Sequence, residues 1–176
     1  RAPFTPSCGP FFAPKAQNPV AILEERRAAL DAMADHVERE APAICMLPLD
    51  RRIQDVLPFF WRGFKVVPNY TYLLDLAPAP EELLKNMSPE RRKNIGKAGR
   101  DGLVVRAETD LRVVRELVLG TFRRQEKFVD ETCLDAVLFR YARPSNSFAF
   151  VTCRDEMPIA ACFVVHDGQT AYYLLG

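Results

Sequence analysis

Residues 147–176 constrain the fold more than any other part of the chain. The runs SFAFVTCRD, IAACFVVHD and TAYYLLG are each rich in aromatic and β-branched residues. Asp155-Glu156 and Asp167-Gly168 punctuate them. Junctions this short join strands that run in opposite directions, because a parallel connection needs a long crossover. An antiparallel meander is therefore expected here.

The elements before it read as helices and one strand. The segment DETCLDAVLFRYA, 130–142, predicts a helix closed by Pro144-Ser145-Asn146. In DLRVVRELVLGTFRRQEKF, Leu111, Val114, Leu117, Val118 and Phe122 share one face, which predicts an amphipathic helix capped by Asp110. LVVRAE reads as a strand. Ser88-Pro89-Glu90 is a helix start, with Ser as N-cap, Pro at the first helical position and Glu in the first turn. That helix is expected from Pro89 to about Arg100, stopping near Gly102. A shorter one begins near Glu81 and Glu82, whose charges suit the positive end of a helix. From residue 81 the order is helix, strand, two helices and three antiparallel strands.

The first part of the chain is less regular. Residues 1–20 hold five prolines and one glycine. Proline removes donors and fixes φ, so an extended or irregular segment is expected, packed through its phenylalanines and valine. From Val20 to about Glu40, Ile22, Leu23, Leu30, Met33, Ala34 and Val37 recur near helical spacing, and Pro42 ends the pattern. AICMLPL, 43–49, reads as a buried strand between prolines. QDVLPFFWRGF, 54–64, predicts a short helix or turn ending at Gly63. KVVPNYTYLLDL, 65–76, reads as a second strand, with Tyr70, Tyr72 and Leu74 alternating against Thr71, Leu73 and Asp75. Prolines mark a boundary at about Ala77–Pro80, and there is no internal repeat.

Composition excludes several classes. A chain of 176 residues with 48 % hydrophobic and 27 % charged side chains suits a folded domain or two small halves. No apolar run approaches the roughly 20 residues that span a bilayer. A net charge of +1 argues against wholesale nucleic-acid binding. Cys8, Cys45, Cys133, Cys153 and Cys162 are scattered, with no C-x-x-C pair and only His36 and His166 beside them. No metal site is expected, and the cysteines read as free thiols in a reducing, cytoplasmic compartment.

One local feature stands out against that balance. At and just beyond MSPERRKNIGKAGRDGLVV, the window from Arg91 to Arg106 carries Arg91, Arg92, Lys93, Lys97, Arg100 and Arg106 against a single acid, Asp101. On a helix, Lys93, Lys97 and Arg100 fall at i, i+4 and i+7 and form one stripe. Like charges so placed repel, so solvent or an anionic ligand must receive them. Gly96 and Gly99 each cost about 1 kcal/mol against alanine in a helix, which suggests close packing of a neighbouring backbone. Neither G-x-x-x-x-G-K-[ST] nor G-x-G-x-x-G after a strand is present. Sequence-specific nucleic-acid recognition is disfavoured, since the helix has no stacking aromatic.

Other chemistry has less support. There is no G-x-S-x-G elbow, and His166 lies in an apolar strand beside a turn, the setting of a structural histidine. Arg123 and Arg124 could pair with Glu126 or Asp130, or bind an anion. Trp61, Phe64, Tyr70 and Tyr72 form an aromatic group that reads as core packing or as the wall of a groove for a sugar or acyl chain.

FFWRGFKVVPNYTYLLDL, then EELLKNMSPERRKNIGKAGRDGLVV, then a helical pair, then MPIAACFVVHDGQTAYYLLG, together resemble the FemAB-like branch of the GNAT acyltransferase superfamily. RRKNIGKA carries the most specific part of the resemblance, and TPSCGPFF is similar to openings found there. That branch includes peptidoglycan-bridge aminoacyltransferases and exopolysaccharide-associated acetyltransferases, built from two GNAT-like halves. The resemblance implies an α/β (α+β) fold with a mixed, mainly antiparallel sheet flanked by helices. Residues 1–78 would be the end of a first half and 79–176 the start of a second.

The implied function is acyl transfer from a thioester to a sugar, amino-sugar or cell-envelope precursor. The alternative is a catalytically silent module that binds an anionic glycan or protein through the basic helix. Arg92, Lys93, Lys97, Arg100 and Arg123 would bind substrate, with Trp61 and Tyr72 as walls and Tyr173 positioning the reacting group. The cationic stripe would border a cleft between the two halves. The donor would be acetyl-CoA or another acyl-CoA or acyl-carrier thioester. Its Q/R-x-x-G-x-G/A loop follows the strand that TAYYLLG resembles, so the donor site is expected beyond Gly176. A tRNA-binding coiled-coil arm has no room here, which favours the acetyltransferase-like members. The expected partners are a small molecule or glycan precursor, with a homo-oligomer left open.

Overall fold

A computed structural model describes Ser7 and residues 9–176. Cys8 and the first six residues of the proline-rich opening lie outside the described residues. The chain forms two compact units, Arg1–Leu73 and Leu74–Gly176. Among the described residues no helix is long and apolar enough to cross a membrane.

In the first unit, α1 spans Pro19–Glu40 and α2 spans Leu57–Trp61. Asn18 caps α1 by accepting a hydrogen bond from the Ala21 N–H at 2.8 Å, and Pro19 begins the helix where a missing donor costs nothing. Ala41 ends it in the left-handed region, at φ 40°. Leu30 and Ala34 of α1 and Phe59 of α2 are buried together. Phe12, Met33, Leu47, Leu49, Ile53, Val56 and Phe64 pack around them.

Two expected strands do not form in this part of the chain. Among the described residues, 43–48 form no strand and Leu49 makes only an isolated bridge, while Ile44 and Met46 stand exposed. The run is short and Pro48 lacks a donor, so its leucines satisfy their apolar surface against α1 and α2 instead of in a ladder. Lys65–Leu76 is likewise without regular structure, and Tyr70, Tyr72, Leu73 and Leu74 are exposed. Core packing of the aromatic group holds only for Phe64, whose ring meets Phe59 edge-on at 5.5 Å. Trp61, Tyr70 and Tyr72 are solvent-facing.

The second unit begins with α3, Pro80–Asn86, and α4, Pro89–Arg100. Strand β1, Val104–Ala107, follows, then α5, Leu111–Arg124. A short α6, Glu131–Asp135, runs directly into a π-helical stretch, Ala136–Tyr141. The meander is β2, Ser147–Arg154, β3, Met157–His166, and β4, Ala171–Leu175. All four strands lie in one antiparallel sheet in the order β1-β2-β3-β4.

Local chemistry explains these borders. Asp110 accepts from the Arg112 N–H at 3.0 Å and Asp130 from the Cys133 N–H at 3.0 Å. The Asp155-Glu156 turn places both residues at positive φ, 48° and 65°, which matches the twist of the flanking strands. Asp167 holds the second turn by accepting from the Gln169 and Thr170 N–H groups.

One sheet face is covered. Ala149, Val151 and Cys153 alternate inward along β2, and Phe163 and Leu175 join them. Val114, Val118 and Leu119 of α5, with Leu134 and Leu138, complete this core. Leu119 was not on the face read from the sequence. Val164, next to Phe163, is also buried but stands opposite Phe148 and Tyr173, so it belongs to the other face. Phe148 and Phe150 point to the other face, with ring centroids 5.7 Å apart. The four described cysteines Cys45, Cys133, Cys153 and Cys162 are free thiols.

Candidate functional site

Helix α4 is built as its sequence dictates. Ser88 accepts from the Arg91 N–H at 3.4 Å, and Pro89 opens the helix. At the far end Gly102 takes φ 72°, a conformation that glycine adopts without a Cβ penalty. Its N–H bonds the Gly99 carbonyl at 3.2 Å and the Leu103 N–H bonds Ala98 at 3.0 Å, a Schellman closure.

No residue of α4 is buried. Lys93, Lys97 and Arg100 are exposed, and among the described residues no carboxylate pairs with them. Arg92 differs, because its guanidinium donates to the Lys85 carbonyl near the end of α3. It thereby ties α4 to the preceding helix and satisfies a carbonyl that the helix leaves open. Close packing does not explain Gly96 and Gly99. A Cβ at Gly99 would meet nothing within 4 Å, and one at Gly96 would make an ordinary contact at 3.5 Å with Arg100. An open helix surface leaves both glycines unused as packing sites.

The remaining sequence-derived positions are dispersed. Arg123 is exposed in the last turn of α5 and pairs with neither Glu126 nor Asp130. Asp130 is engaged instead with Cys133, through its N–H and through Sγ at 3.2 Å. The N–H bond first, then the thiol, holds the Asp130 carboxyl below the usual range, while Asp130 pushes the Cys133 thiol up. Tyr173 stands opposite Val164 on β4, exposed, with its hydroxyl lying over Gly176. His166 donates its backbone N–H to Asn146, and its ring lies 5.9 Å from Phe148. Trp61 and Tyr72 belong to the first unit and are exposed there.

Two charge clusters escaped the sequence reading. In the first unit Arg62 reaches Asp31 and Asp35 at 2.6 Å each and Glu38 at 3.4 Å. The hydrogen bond that Arg62 donates to Asp31, then those to Asp35, hold its proton well above the ordinary arginine range. Asp31, Asp35 and Glu38 lie at i, i+4 and i+7 on α1, a stripe visible in the sequence. Its cation, from beyond α2, is not. In the second unit Arg115 binds Asp135 at 2.6 Å and Glu131 at 2.7 Å, fastening α5 to α6. Both read as structural clamps, since each guanidinium is fully engaged by carboxylates.

The first unit also carries an open groove of about 290 Å³, lined by Phe12, Arg26, Leu30, Asp50, Ile53 and Asp55 among others. Arg26 lies 5.9 Å over the Phe12 ring, and Arg27 pairs with Asp55 at 2.7 Å. None of the sequence-derived site residues lines it. The chain matches no protein-family model, no curated protein and no solved structure.

Proposed function

We propose that the chain is part of a GNAT-type acyltransferase acting on a sugar, amino-sugar or cell-envelope precursor. The observation that carries this is the order of the second unit. After a strand come two helices and three more strands, and the four strands form one antiparallel sheet, β1-β2-β3-β4, with α5 packed against β2 and β3. The donor is acetyl-CoA or another acyl thioester. The acceptor nitrogen or oxygen forms a bond to the acyl carbon, the carbon–sulfur bond breaks, and the acceptor's proton ends on the departing thiolate through a base. Proximity and electrostatic stabilisation supply most of the acceleration. Lys93, Lys97 and Arg100 hold an anionic group of the substrate, and Tyr173 helps to position the reacting centre.

The exposure of α4 favours a second reading, a silent module that docks an anionic glycan or protein. Labelled acetyl-CoA incubated with the protein and a panel of amino-sugar and sugar-phosphate acceptors tests the first. Transfer above the protein-free rate is expected; no transfer and no donor binding removes it. Lys93→Glu/Lys97→Glu then separates the two. An acyltransferase loses acceptor affinity and turnover together, whereas a silent module loses a bound polyanion with no turnover to lose.

A further inference from the structure

Segment Lys65–Asp75 combines an apolar face with an unpaired backbone. Val66, Pro68, Tyr70, Tyr72 and Leu74 occupy its even positions. Tyr70 and Tyr72 are 93 % and 101 % exposed. Among the described residues, no backbone N–H or C=O from Lys65 to Leu74 has a hydrogen-bond partner. A segment of alternating aromatic and polar residues with free donors and acceptors is a strand without its neighbour.

We propose that two copies of this chain pair through this segment, antiparallel, with Tyr70 opposite Tyr70 of the second copy. Two independent features select that register. The segment's only charged residues are Lys65 and Asp75, at its two ends. Antiparallel self-pairing about residue 70 sets Lys65 of each copy opposite Asp75 of the other; parallel pairing sets like against like. Pro68 lacks an N–H, so in a ladder it must sit in a non-hydrogen-bonded pair. Tyr70 has the same parity and falls in that class too. The donating positions are then Val67, Asn69, Thr71 and Leu73, all of which carry an N–H. The even face becomes Tyr70 on Tyr70, Tyr72 on Pro68 and Leu74 on Val66 of the second copy.

The occupant is a second copy because the charge pattern is complementary to itself. The arrangement is distinct from the acyl-transfer reading and stands or falls without it. Sedimentation velocity over a wide concentration range reads the dimer directly, and a dimer fraction that rises with concentration at one Kd is expected. Lys65→Asp should weaken it by roughly tenfold, and the swap Lys65→Asp/Asp75→Lys should restore it. Asn69→Pro, at a donating position in an exposed segment, should abolish the dimer while the circular dichroism of the monomer stays unchanged. In a Cys45→Ser background, Tyr70→Cys should cross-link across the two-fold axis on mild oxidation, since Cα atoms of such a pair lie about 4.5 Å apart. A monomer at every concentration overturns the proposal. So does a dimer that survives Asn69→Pro and resists the Tyr70→Cys cross-link, because another surface then holds it.

Discussion

At the scale of single residues, most of what the structure shows is backbone chemistry answered within a few positions. Ser88, Asp110 and Asp130 each accept from an N–H two or three residues on, and Gly102 closes α4 because its φ is positive. Ser88, Asp110 and Gly102 were legible in the sequence for that reason, with no tertiary partner needed, whereas Asp130 read there only as a possible ion-pair partner. The Asp155-Glu156 turn is the counter-example, since two non-glycine residues hold φ values of 48° and 65°. A left-handed conformation costs an L-residue roughly 1–2 kcal/mol. Asp155→Asn/Glu156→Gly, the pair that such a hairpin favours, is expected to raise stability by about 1 kcal/mol in urea unfolding. The β2–β3 register should be unchanged.

At the scale of elements, α6 depends on a carboxylate. Its N-cap Asp130 has its pKa lowered, chiefly by the Cys133 N–H. A group depressed on folding stabilises above its unfolded value, about 3.9, and loses that contribution as pH falls through the lower folded value. Acid titration of stability should therefore fall off below about pH 4 in the native chain. Asp130→Asn caps as well but does not titrate. It is expected to match the native stability at pH 7 and to show a shallower acid decline; an identical acid profile would count against this role. Helix α4 shows where element-level reading ran out. Its ends and its cationic stripe followed from the sequence, but its openness did not. The spacing of Gly96 and Gly99 suggested a close neighbour, and whether a neighbour exists is decided by chain from elsewhere in the fold.

At the scale of the whole molecule, burial ranks the side chains. Leu134 is fully buried beside α5, whereas Phe150 on the uncovered sheet face is 42 % exposed. Leu134→Ala is expected to cost roughly 2–5 kcal/mol and Phe150→Ala distinctly less, as thermal and urea unfolding can compare. The sequence by itself determined the helix borders, the turns and the antiparallel meander, because caps, prolines and short junctions act over a handful of residues. It also placed the cations of α4 on one stripe. Only the tertiary structure decided that 43–49 and 65–76 are not strands, that Arg62 and Arg115 are clamps, and which sheet face is covered. A helix closes its own hydrogen bonds, but a strand exists only when another segment supplies the second half of its ladder, and alternation within one run carries no record of that partner.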